Sequence, residues 1–160
     1  MSFTTEAKLE LIRRYYHGCS TGDIDAMLAT LTPDVVHYFL DPNPGSQPVI
    51  SAEHLARYWR KVQQLHDGRW AVDAIVGEGD SATIEWTLFW TPPHGAARVA
   101  TRGAECYRFR DGRICEIRAY YQQRPERSTE LQDFPYTARG YSRLGREVSD
   151  LHPPPGAATT

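Results

Sequence analysis

The sequence lacks the marks of a metal site, a nucleotide site and a membrane span. The three cysteines, Cys19, Cys106 and Cys115, do not have the spacing of metal ligands, and no close histidine pair accompanies them. A Gly-rich phosphate loop is missing, which argues against nucleotide binding. No apolar run reaches the roughly 18 residues that a membrane span needs. We therefore expect no metal, no cofactor and no membrane insertion.

An excess of charge of either sign is also missing. The chain has 18 basic and 20 acidic side chains, a formal net charge of -2, which gives no electrostatic attraction to nucleic acid or to an anionic membrane surface. The odd cysteine number leaves an unpaired thiol in any disulfide scheme, which favours a reducing compartment. Because the N-terminal stretch has no apolar signal-peptide core, we expect a cytoplasmic protein.

The 160 residues suit a single domain with a substantial core. Helical patterns come first and strand patterns later, which is typical of an α+β fold with a largely antiparallel sheet. We assign residues 1–123 to this domain. Residues 124–150 are predicted to be an extension that packs on the domain or on a partner subunit. The proline-rich residues 151–160 are predicted to be a disordered tail.

Three helices are predicted in the first half of the chain. The first ends near Gly18 and Gly22, and the second begins after Asp23 as N-cap. Ser51 caps the third helix, residues 52–65. The apolar side of this third helix is formed by Leu55, Tyr58, Trp59, Val62 and Leu65.

Strands account for most of the remaining sequence. Residues 33–40, "PDVVHYFL", predict a strand rich in β-branched and aromatic residues. Prolines exclude regular structure from residues 41–48. From residue 68 to about residue 123 the chain is predicted to be strands. Alternation in "SATIEWTLFW" places four residues on one face, namely Ile84, Trp86, Leu88 and Trp90.

The stretch "ECYRFRDGRICEIRAYY", residues 105–121, predicts a hairpin with an ionisable residue, Glu105, on an apolar face. A two-residue turn at Asp111 and Gly112 would place Glu105 opposite Arg118, and a three-residue loop would place it opposite Ile117. We favour the three-residue loop. The resulting face contains Glu105, Tyr107, Phe109, Ile117 and Tyr121.

The order of these elements resembles that of the superfamily of nuclear transport factor 2, ketosteroid isomerase and the SnoaL-like polyketide cyclases. The resemblance covers roughly residues 5–122 and is carried by "RYYHGCSTGDIDAM", "PDVV", "GSQP" and "ECYRFRDGRICEIRAYY". It implies a cone-shaped, curved antiparallel sheet packed against three N-terminal helices, with a cavity between them. The fold hosts several reactions and also non-catalytic binders, so it does not by itself define an activity.

The resemblance also implies roles for individual residues. Glu105 matches the carboxylic acid that stabilises the substrate oxyanion in ketosteroid isomerase, and SnoaL-type cyclases have an acid–base aspartate at this position. Tyr15 matches the tyrosine that shares the donation to the oxyanion. Asp41 lies in the region of the isomerase's general base. Trp59 falls at a supporting tyrosine, and Tyr121 at a pocket tryptophan.

Each catalytic assignment has an alternative. Glu105 either lies in a dry pocket, where a raised pKa suits proton transfer, or is salt-bridged on an exposed face. His37 is either a base that titrates near neutral pH or a histidine bonded to a backbone carbonyl. Asp41 is either the base or a loop cap. Tyr16 competes with Tyr15 for the inward direction, because neighbours on a helix differ by about 100°.

The predicted pocket wall is aromatic and aliphatic. It contains Phe39, Trp59, Trp86, Leu88, Trp90, Tyr107, Ile117 and Tyr121. Such a wall around acid–base candidates favours a cofactor-free isomerase, cyclase or dehydratase that acts on a small hydrophobic carbonyl compound. The alternatives are a binding protein without chemistry, an interaction module and a hydrolase of the epoxide hydrolase type.

A homodimer through the outer sheet face is the expected assembly. The alternation that places one set of side chains in the cavity places the other set on the outer face. This outer set includes Glu85, Thr87, Phe89, Arg108 and Arg118.

Overall fold

Three helices and six strands form the fold in the computed structural model, which describes residues 3–42, 47–94, 97–121 and 128–147. The helices are α1 (Thr5–Thr21), α2 (Ile24–Leu28) and α3 (Ala52–His66). The strands are β1 (Leu31–Tyr38), β2 (Val49–Ile50), β3 (Arg69–Glu78), β4 (Ser81–Trp90), β5 (Val99–Arg110) and β6 (Arg113–Tyr120). The predicted tail and both ends of the predicted extension lie outside the described residues.

The strands form one sheet in the order β2-β1-β6-β5-β4-β3. All neighbours are antiparallel except β1 and β6, which are parallel. The sheet is therefore mixed, which corrects the prediction of an antiparallel sheet for this pair. A helix and four strands separate β1 from β6 in the chain, so no hairpin turn imposes opposite directions on them. No helix in the described ranges is both long and apolar enough to cross a membrane.

The helix ends follow the predicted caps, with one exception. Asp23 accepts a hydrogen bond from the backbone of α2, Ser51 does so for α3, and Gly22 ends α1 in a left-handed conformation with φ of 72°. Gly18, predicted at the helix end, instead lies inside α1. A Cβ atom there would lie 2.6 Å from Cγ of Met27, so this glycine permits close packing of α1 against α2.

The β5–β6 hairpin differs from both predicted registers. Arg110 pairs with Arg113, so the turn has two residues, and a bulge then shifts the pairing between β5 and β6 by one residue. As a result, Glu105 lies opposite Ala119. The favoured register is thus wrong by two residues, but a shift of two keeps every side chain on its predicted face, because the side-chain period of a strand is two. Glu105 points to the helix side of the sheet.

The outer sheet face is partly covered by the chain's own segment 128–147. The backbone N–H of Ser142 donates to the buried carboxylate of Asp73 on β3 at 2.8 Å. The guanidinium of Arg102 on β5 lies 3.9 Å from the ring centre of Tyr136 and also forms an ion pair with Glu130 at 3.0 Å. Charge pairing and cation–π contact therefore hold this segment on the sheet.

Two residues of the predicted dimer face are consequently not exposed. Thr87 and Phe89 are fully buried within the chain itself, which corrects their predicted placement on an open surface. Glu85 and Arg108 are exposed, and Arg118 is half-buried. The homodimer stays a prediction, and only the uncovered part of the outer face is available for it.

Candidate active site

A cavity of about 140 Å³ lies between α3 and the inner face of the sheet. Its wall is formed by Tyr58, Trp59, Val62, His66, Trp70, Trp86, Leu88, Trp90, Glu105 and Tyr121. A protein cavity of about 150 Å³ is known to hold benzene, so this cavity has the size of a single six-membered ring. Glu105 is the sole carboxylate among these lining residues.

Glu105 is held in the cavity wall by two tyrosines. Its side chain is buried, with 4% of the residue exposed. The hydroxyl of Tyr16 on α1 donates to Oε2 of Glu105 at 2.6 Å, and the hydroxyl of Tyr107 on β5 donates to the same oxygen. Both donors are themselves buried. Glu105 is therefore fixed by two different elements of the fold rather than by a salt bridge.

The environment of Glu105 favours proton transfer near neutral pH. Burial raises its pKa from 4.5 to about 7, although the hydrogen bonds from Tyr107 and Tyr16 oppose this rise. Both the acid and the carboxylate are thus populated at neutral pH. Because Oε2 already accepts two hydrogen bonds, the proton of the neutral acid belongs on Oε1. That oxygen is the one available for chemistry.

Tyr15 is not where the resemblance places it. Its hydroxyl accepts a hydrogen bond from Nε1 of Trp59 at 2.7 Å, and Tyr16 makes the contact with Glu105 instead. Burial, followed by the nearby Cys19 and Glu105, raises the pKa of Tyr15 well above its usual value. Both tyrosines are buried, so the pattern of apolar positions on α1 did not distinguish them. Tyr15 supports Trp59 rather than contacting the cavity.

His37 is buried but is not placed with Glu105. Only 1% of the residue is exposed, and its ring lies 4.3 Å from that of Phe39 and 5.4 Å from that of Trp59. Burial lowers its pKa to about 3, so the ring is neutral at pH 7 and accepts a proton poorly. The predicted role of His37 as a near-neutral base is therefore not supported by its environment.

Asp41 also lies away from the cavity wall. The strand β1 ends at Tyr38, so the alternation that would have directed Asp41 inward does not continue. The side chain is exposed. Asp41 is thus a surface residue after the strand, and its prediction as the base loses its geometric support.

Five of the eight residues predicted for the pocket wall line the cavity, namely Trp59, Trp86, Leu88, Trp90 and Tyr121. Tyr107 and Ile117 are instead fully buried in the core. Phe39 packs against Tyr58 and Trp59 without lining the cavity. All three residues belong to the hydrophobic core.

Four lining residues were not predicted as site residues, namely Tyr58, Val62, His66 and Trp70. His66 follows Val62 by four positions and Trp59 by seven, which places all three on one face of a helix. Leu65, which was predicted on that face, is 64% exposed. Nδ1 of His66 lies 3.3 Å from the carbonyl oxygen of Thr91.

The tryptophans of the cavity differ in the use of their indole N–H groups. Nε1 of Trp59 donates to Tyr15, and Nε1 of Trp90 donates to Oγ1 of Thr101 at 3.0 Å. Nε1 of Trp86 is buried and has no hydrogen-bond partner within the described part of the chain. Trp86 therefore has a buried indole N–H without a partner, although the residue itself lines the cavity.

Other chemistries are less well supported by the arrangement. Within the described ranges, no group of three or more His, Cys, Asp or Glu side chains is arranged to hold a metal ion. Residues 18–22, "GCSTG", match the motif G-x-S-x-G. In hydrolases this motif forms a nucleophile elbow, which is a turn between a strand and a helix. Here they lie at the end of α1, and Ser20 accepts a hydrogen bond from the backbone of Trp70 at 3.0 Å.

Comparison with known proteins agrees with this fold. A family model described as SnoaL-like domain matches residues 12–117. The chain therefore belongs to the SnoaL-like domain family, within the superfamily of nuclear transport factor 2-like folds, as the sequence predicts. The α+β fold class is also confirmed.

Solved structures show the same architecture. A protein of unknown function with a cystatin-like fold from Methylobium petroleophilum PM1 is 35% identical, with a TM-score of 0.68, and the match covers 89% of this chain and 95% of that one. A candidate SnoaL-like polyketide cyclase from Jannaschia sp. CCS1 is 18% identical, with a TM-score of 0.62, and the match covers 75% and 88% of the two chains. At this low identity, the second similarity shows the fold alone.

One curated relative is much longer than this chain. Acetyl-CoA carboxylase 2 of Oryza sativa subsp. japonica is 32% identical over a stretch that covers 69% of this chain. The chain spans only about 5% of the length of that protein.

Proposed function

We propose that the protein is a cofactor-free acid–base enzyme that acts on a small, uncharged, hydrophobic carbonyl compound. The observation that carries this proposal is the placement of Glu105, whose pKa is raised to about 7 by burial, in an aromatic cavity of about 140 Å³. Acids and bases are most effective when their pKa is near the working pH. Perturbed carboxyl groups in clefts are typical of functional sites.

Glu105 can act as a proton shuttle, because its pKa of about 7 allows it to accept and to donate a proton near neutral pH. In its ionised form, Oε1 removes the proton from the carbon next to the carbonyl group, and the electrons of that C–H bond form the C=C bond of an enolate. The neutral acid then returns the proton to the same carbon or to another one. Return to another carbon is an isomerisation, and the same first step serves a cyclisation or a dehydration. General acid–base catalysis of this type contributes about 10²–10⁴-fold in rate.

The size of the cavity restricts the substrate. A volume of about 140 Å³ suits a substrate with a single ring. The lining residues include no lysine or arginine, so a carboxylate or phosphate on the substrate would be desolvated without a charge partner. We therefore infer a neutral, single-ring ketone or aldehyde as the substrate class.

Hydrogen–deuterium exchange at the carbon next to a carbonyl group tests this proposal without knowledge of the natural substrate. Cyclohexanone in D2O is followed by NMR with the wild type and with Glu105→Gln, which keeps the shape but cannot accept the proton. We expect the enzyme-dependent exchange to fall about 100-fold or more in the variant. The wild-type rate should rise with pH and level off above a midpoint near 7, because only the ionised form of Glu105 is the base.

Glu85→Gln is the matched control, because Glu85 is also a strand carboxylate but lies exposed on the outer sheet face. It should exchange protons at the wild-type rate. Exchange that is equally fast in Glu105→Gln and the wild type would refute the proposal. Saturable binding of cyclohexanone to the wild type without any exchange would favour the non-catalytic binding protein instead.

A further inference from the structure

We propose that the hydroxyls of Tyr58 and Tyr121 donate the two hydrogen bonds that bind the carbonyl oxygen of the substrate, beside Glu105. This assignment rests on the proposed function, because it concerns the same cavity and the same substrate class, a neutral, single-ring ketone or aldehyde. It differs from the sequence-based expectation, in which a tyrosine of the first helix is the donor and Tyr121 is part of the pocket wall.

Both hydroxyls are free to donate to a ligand. Tyr58 and Tyr121 line the cavity together with Glu105. Within the described ranges, neither hydroxyl has a hydrogen-bond partner. Both residues are half-buried, and neither hydroxyl is among the polar atoms that are buried without a partner, so both remain accessible. A carbonyl oxygen has two lone pairs and can accept a hydrogen bond from each of them.

Several other donors around the cavity are already bonded or out of reach. The hydroxyls of Tyr16 and Tyr107 both donate to Glu105. Nε1 of Trp90 donates to a threonine hydroxyl at 3.0 Å. Nε1 of Trp86 lacks a partner in the described part of the chain, but it is fully buried, so a ligand in the cavity does not reach it.

Two further lining residues are less suitable donors. Nε1 of Trp70 also lacks a hydrogen-bond partner among the described residues. However, Trp70 is on β3, and β4 separates this strand from β5, which carries Glu105. Nδ1 of His66 lies 3.3 Å from the carbonyl oxygen of Thr91. In the neutral ring this contact places the proton on Nδ1, so Nε2 can only accept a hydrogen bond.

Tyr121 lies on the same face of the sheet as Glu105. Glu105 pairs with Ala119 on β6, and Tyr121 follows two residues later, just beyond the end of the strand. Side chains two residues apart on a strand point the same way, and such diagonal neighbours lie about 7–8 Å apart. The ring of Tyr121 packs against that of Trp86, with centroids 5.3 Å apart. Gly103, which pairs with Trp86, leaves room for the indole, because a Cβ atom there would lie 2.4 Å from Cζ2 of Trp86.

Tyr58 faces Glu105 and Tyr121 from the helix side of the cavity. It lies on α3, and its ring packs against those of Phe39 and Trp59, with centroids 5.6 and 4.9 Å away. Burial raises the pKa of Tyr58. Burial, followed by electrostatic interaction with Tyr58 and Glu105, raises the pKa of Tyr121, so its hydroxyl is close to both groups. Both hydroxyls therefore keep their protons at neutral pH, as hydrogen-bond donors must.

The three groups fit the two ends of an enolisation. The carbonyl oxygen accepts hydrogen bonds from Tyr58 and Tyr121, and Oε1 of Glu105 removes the proton from the neighbouring carbon. As the C–H electrons form the C=C bond, the π electrons of the carbonyl move to oxygen. The two hydrogen bonds then stabilise the negative charge on that oxygen. Both tyrosines keep their protons throughout, and Glu105 carries the transferred one.

The carbonyl signal of a bound ketone tests the hydrogen bonds directly. Hydrogen bonds to a ketone oxygen move the 13C NMR signal of the carbonyl carbon downfield. Cyclohexanone labelled with 13C at the carbonyl carbon is titrated with the wild type, and the signal is extrapolated to full binding. We expect the bound signal to lie downfield of its position in hexane, where no donor is present. This part of the test needs no variant.

Single substitutions then assign the donors. Tyr58→Phe and Tyr121→Phe each keep the ring and remove one donor, so each should move the bound carbonyl signal toward its position in hexane. Methylenecyclohexane has nearly the shape of cyclohexanone but no oxygen acceptor. The preference for the ketone over this hydrocarbon should fall about three- to tenfold in each variant. Unchanged binding of the hydrocarbon shows that the variant is folded.

Two control variants should leave both readouts unchanged. Tyr120→Phe removes a neighbouring hydroxyl, but Tyr120 is 51% exposed and lies on the opposite face of β6 from Tyr121. Trp70→Phe removes the other accessible donor of the cavity wall. A loss of preference in Trp70→Phe, with none in the tyrosine variants, would assign the donor to Trp70 instead.

The inference is overturned if Tyr58→Phe or Tyr121→Phe retains the full preference for the ketone, or if the carbonyl signal bound to the wild type lies at its hexane position. Failure of both ligands to bind at millimolar concentration also overturns it, because the cavity then does not accept a single ring. Glu105-dependent exchange that both tyrosine variants retain in full would reject only this inference. Tyrosine-dependent binding of the ketone without exchange would reject only the proposed enzymatic function.

Discussion

At the scale of single residues, the proposed chemistry depends on Glu105, a buried carboxyl whose hydrogen bonds come from protein side chains instead of water. Glu105 receives hydrogen bonds from Tyr16 and Tyr107, which favour its ionised form. Burial has the opposite effect and is the larger of the two, because the pKa rises to about 7. Neither the carboxylate nor the acid is therefore strongly preferred near neutral pH.

This shift in pKa makes the stability of the fold depend on pH. Since the pKa is about 7 in the folded protein and 4.5 ordinarily, the stabilisation from protonated Glu105 is fully present below pH 4.5. It is lost as the pH rises to 7. Between pH 5 and 8, the free energy of unfolding of the wild type should fall by about 2–3 kcal/mol relative to Glu105→Gln.

Urea denaturation of both proteins at pH 5 and pH 8 measures this difference, and titration of all other groups cancels between them. A difference that does not change with pH would mean that Glu105 titrates alike in the folded and unfolded chains.

Residue-level roles were only partly predictable from the sequence. The inward direction of Glu105 followed from strand alternation, whereas the choice between Tyr15 and Tyr16 depended on a rotation of about 100° that α1 packing decides. The sequence could not predict that the N–H of Trp86 lacks a hydrogen-bond partner. Trp59 and Trp90 have the same side chain, and their N–H groups do have partners. The lowered pKa of His37 was not predictable either, because strand alternation indicates the face of a residue and not how deeply it is buried.

At the scale of elements, the predicted register of the β5–β6 hairpin was wrong, but the predicted faces of its side chains were right. The turn is shorter than expected and the bulge lies elsewhere, but the total shift is two residues, so the inner and outer faces were correct. The end of β1 at Tyr38 was not predicted, because Phe39 and Leu40 continue the apolar pattern of the strand. For that reason Asp41 was expected in the cavity and is found at the surface.

Segment 128–147 provides a prediction at this scale. Arg102 bonds to Glu130 and lies over Tyr136, so Arg102→Ala should release the segment from the sheet. Hydrogen exchange measured by mass spectrometry should show faster exchange in 128–147 with little change in β3 and β4. Arg108→Ala is the control, since Arg108 pairs with Asp80 on the exposed part of the sheet. Unchanged protection of the segment in Arg102→Ala would show that other contacts hold it.

At the scale of the whole molecule, the two faces of the sheet have different surroundings. The inner face and α3 enclose a cavity of about 140 Å³. The outer face is partly covered by the chain itself, which leaves a smaller surface for the predicted homodimer than strand alternation suggested. Membership of the SnoaL-like domain family defines the fold. The proposed reaction depends on the cavity and on its single carboxylate.

The most direct measurement of the central claim is an NMR titration of the Glu105 carboxyl carbon in 13C-labelled protein, with Glu105→Gln used to assign the signal. We predict a pKa near 7 for Glu105. A pKa near 4.5 would mean that water reaches this carboxyl freely, and the proton-shuttle account would then be wrong.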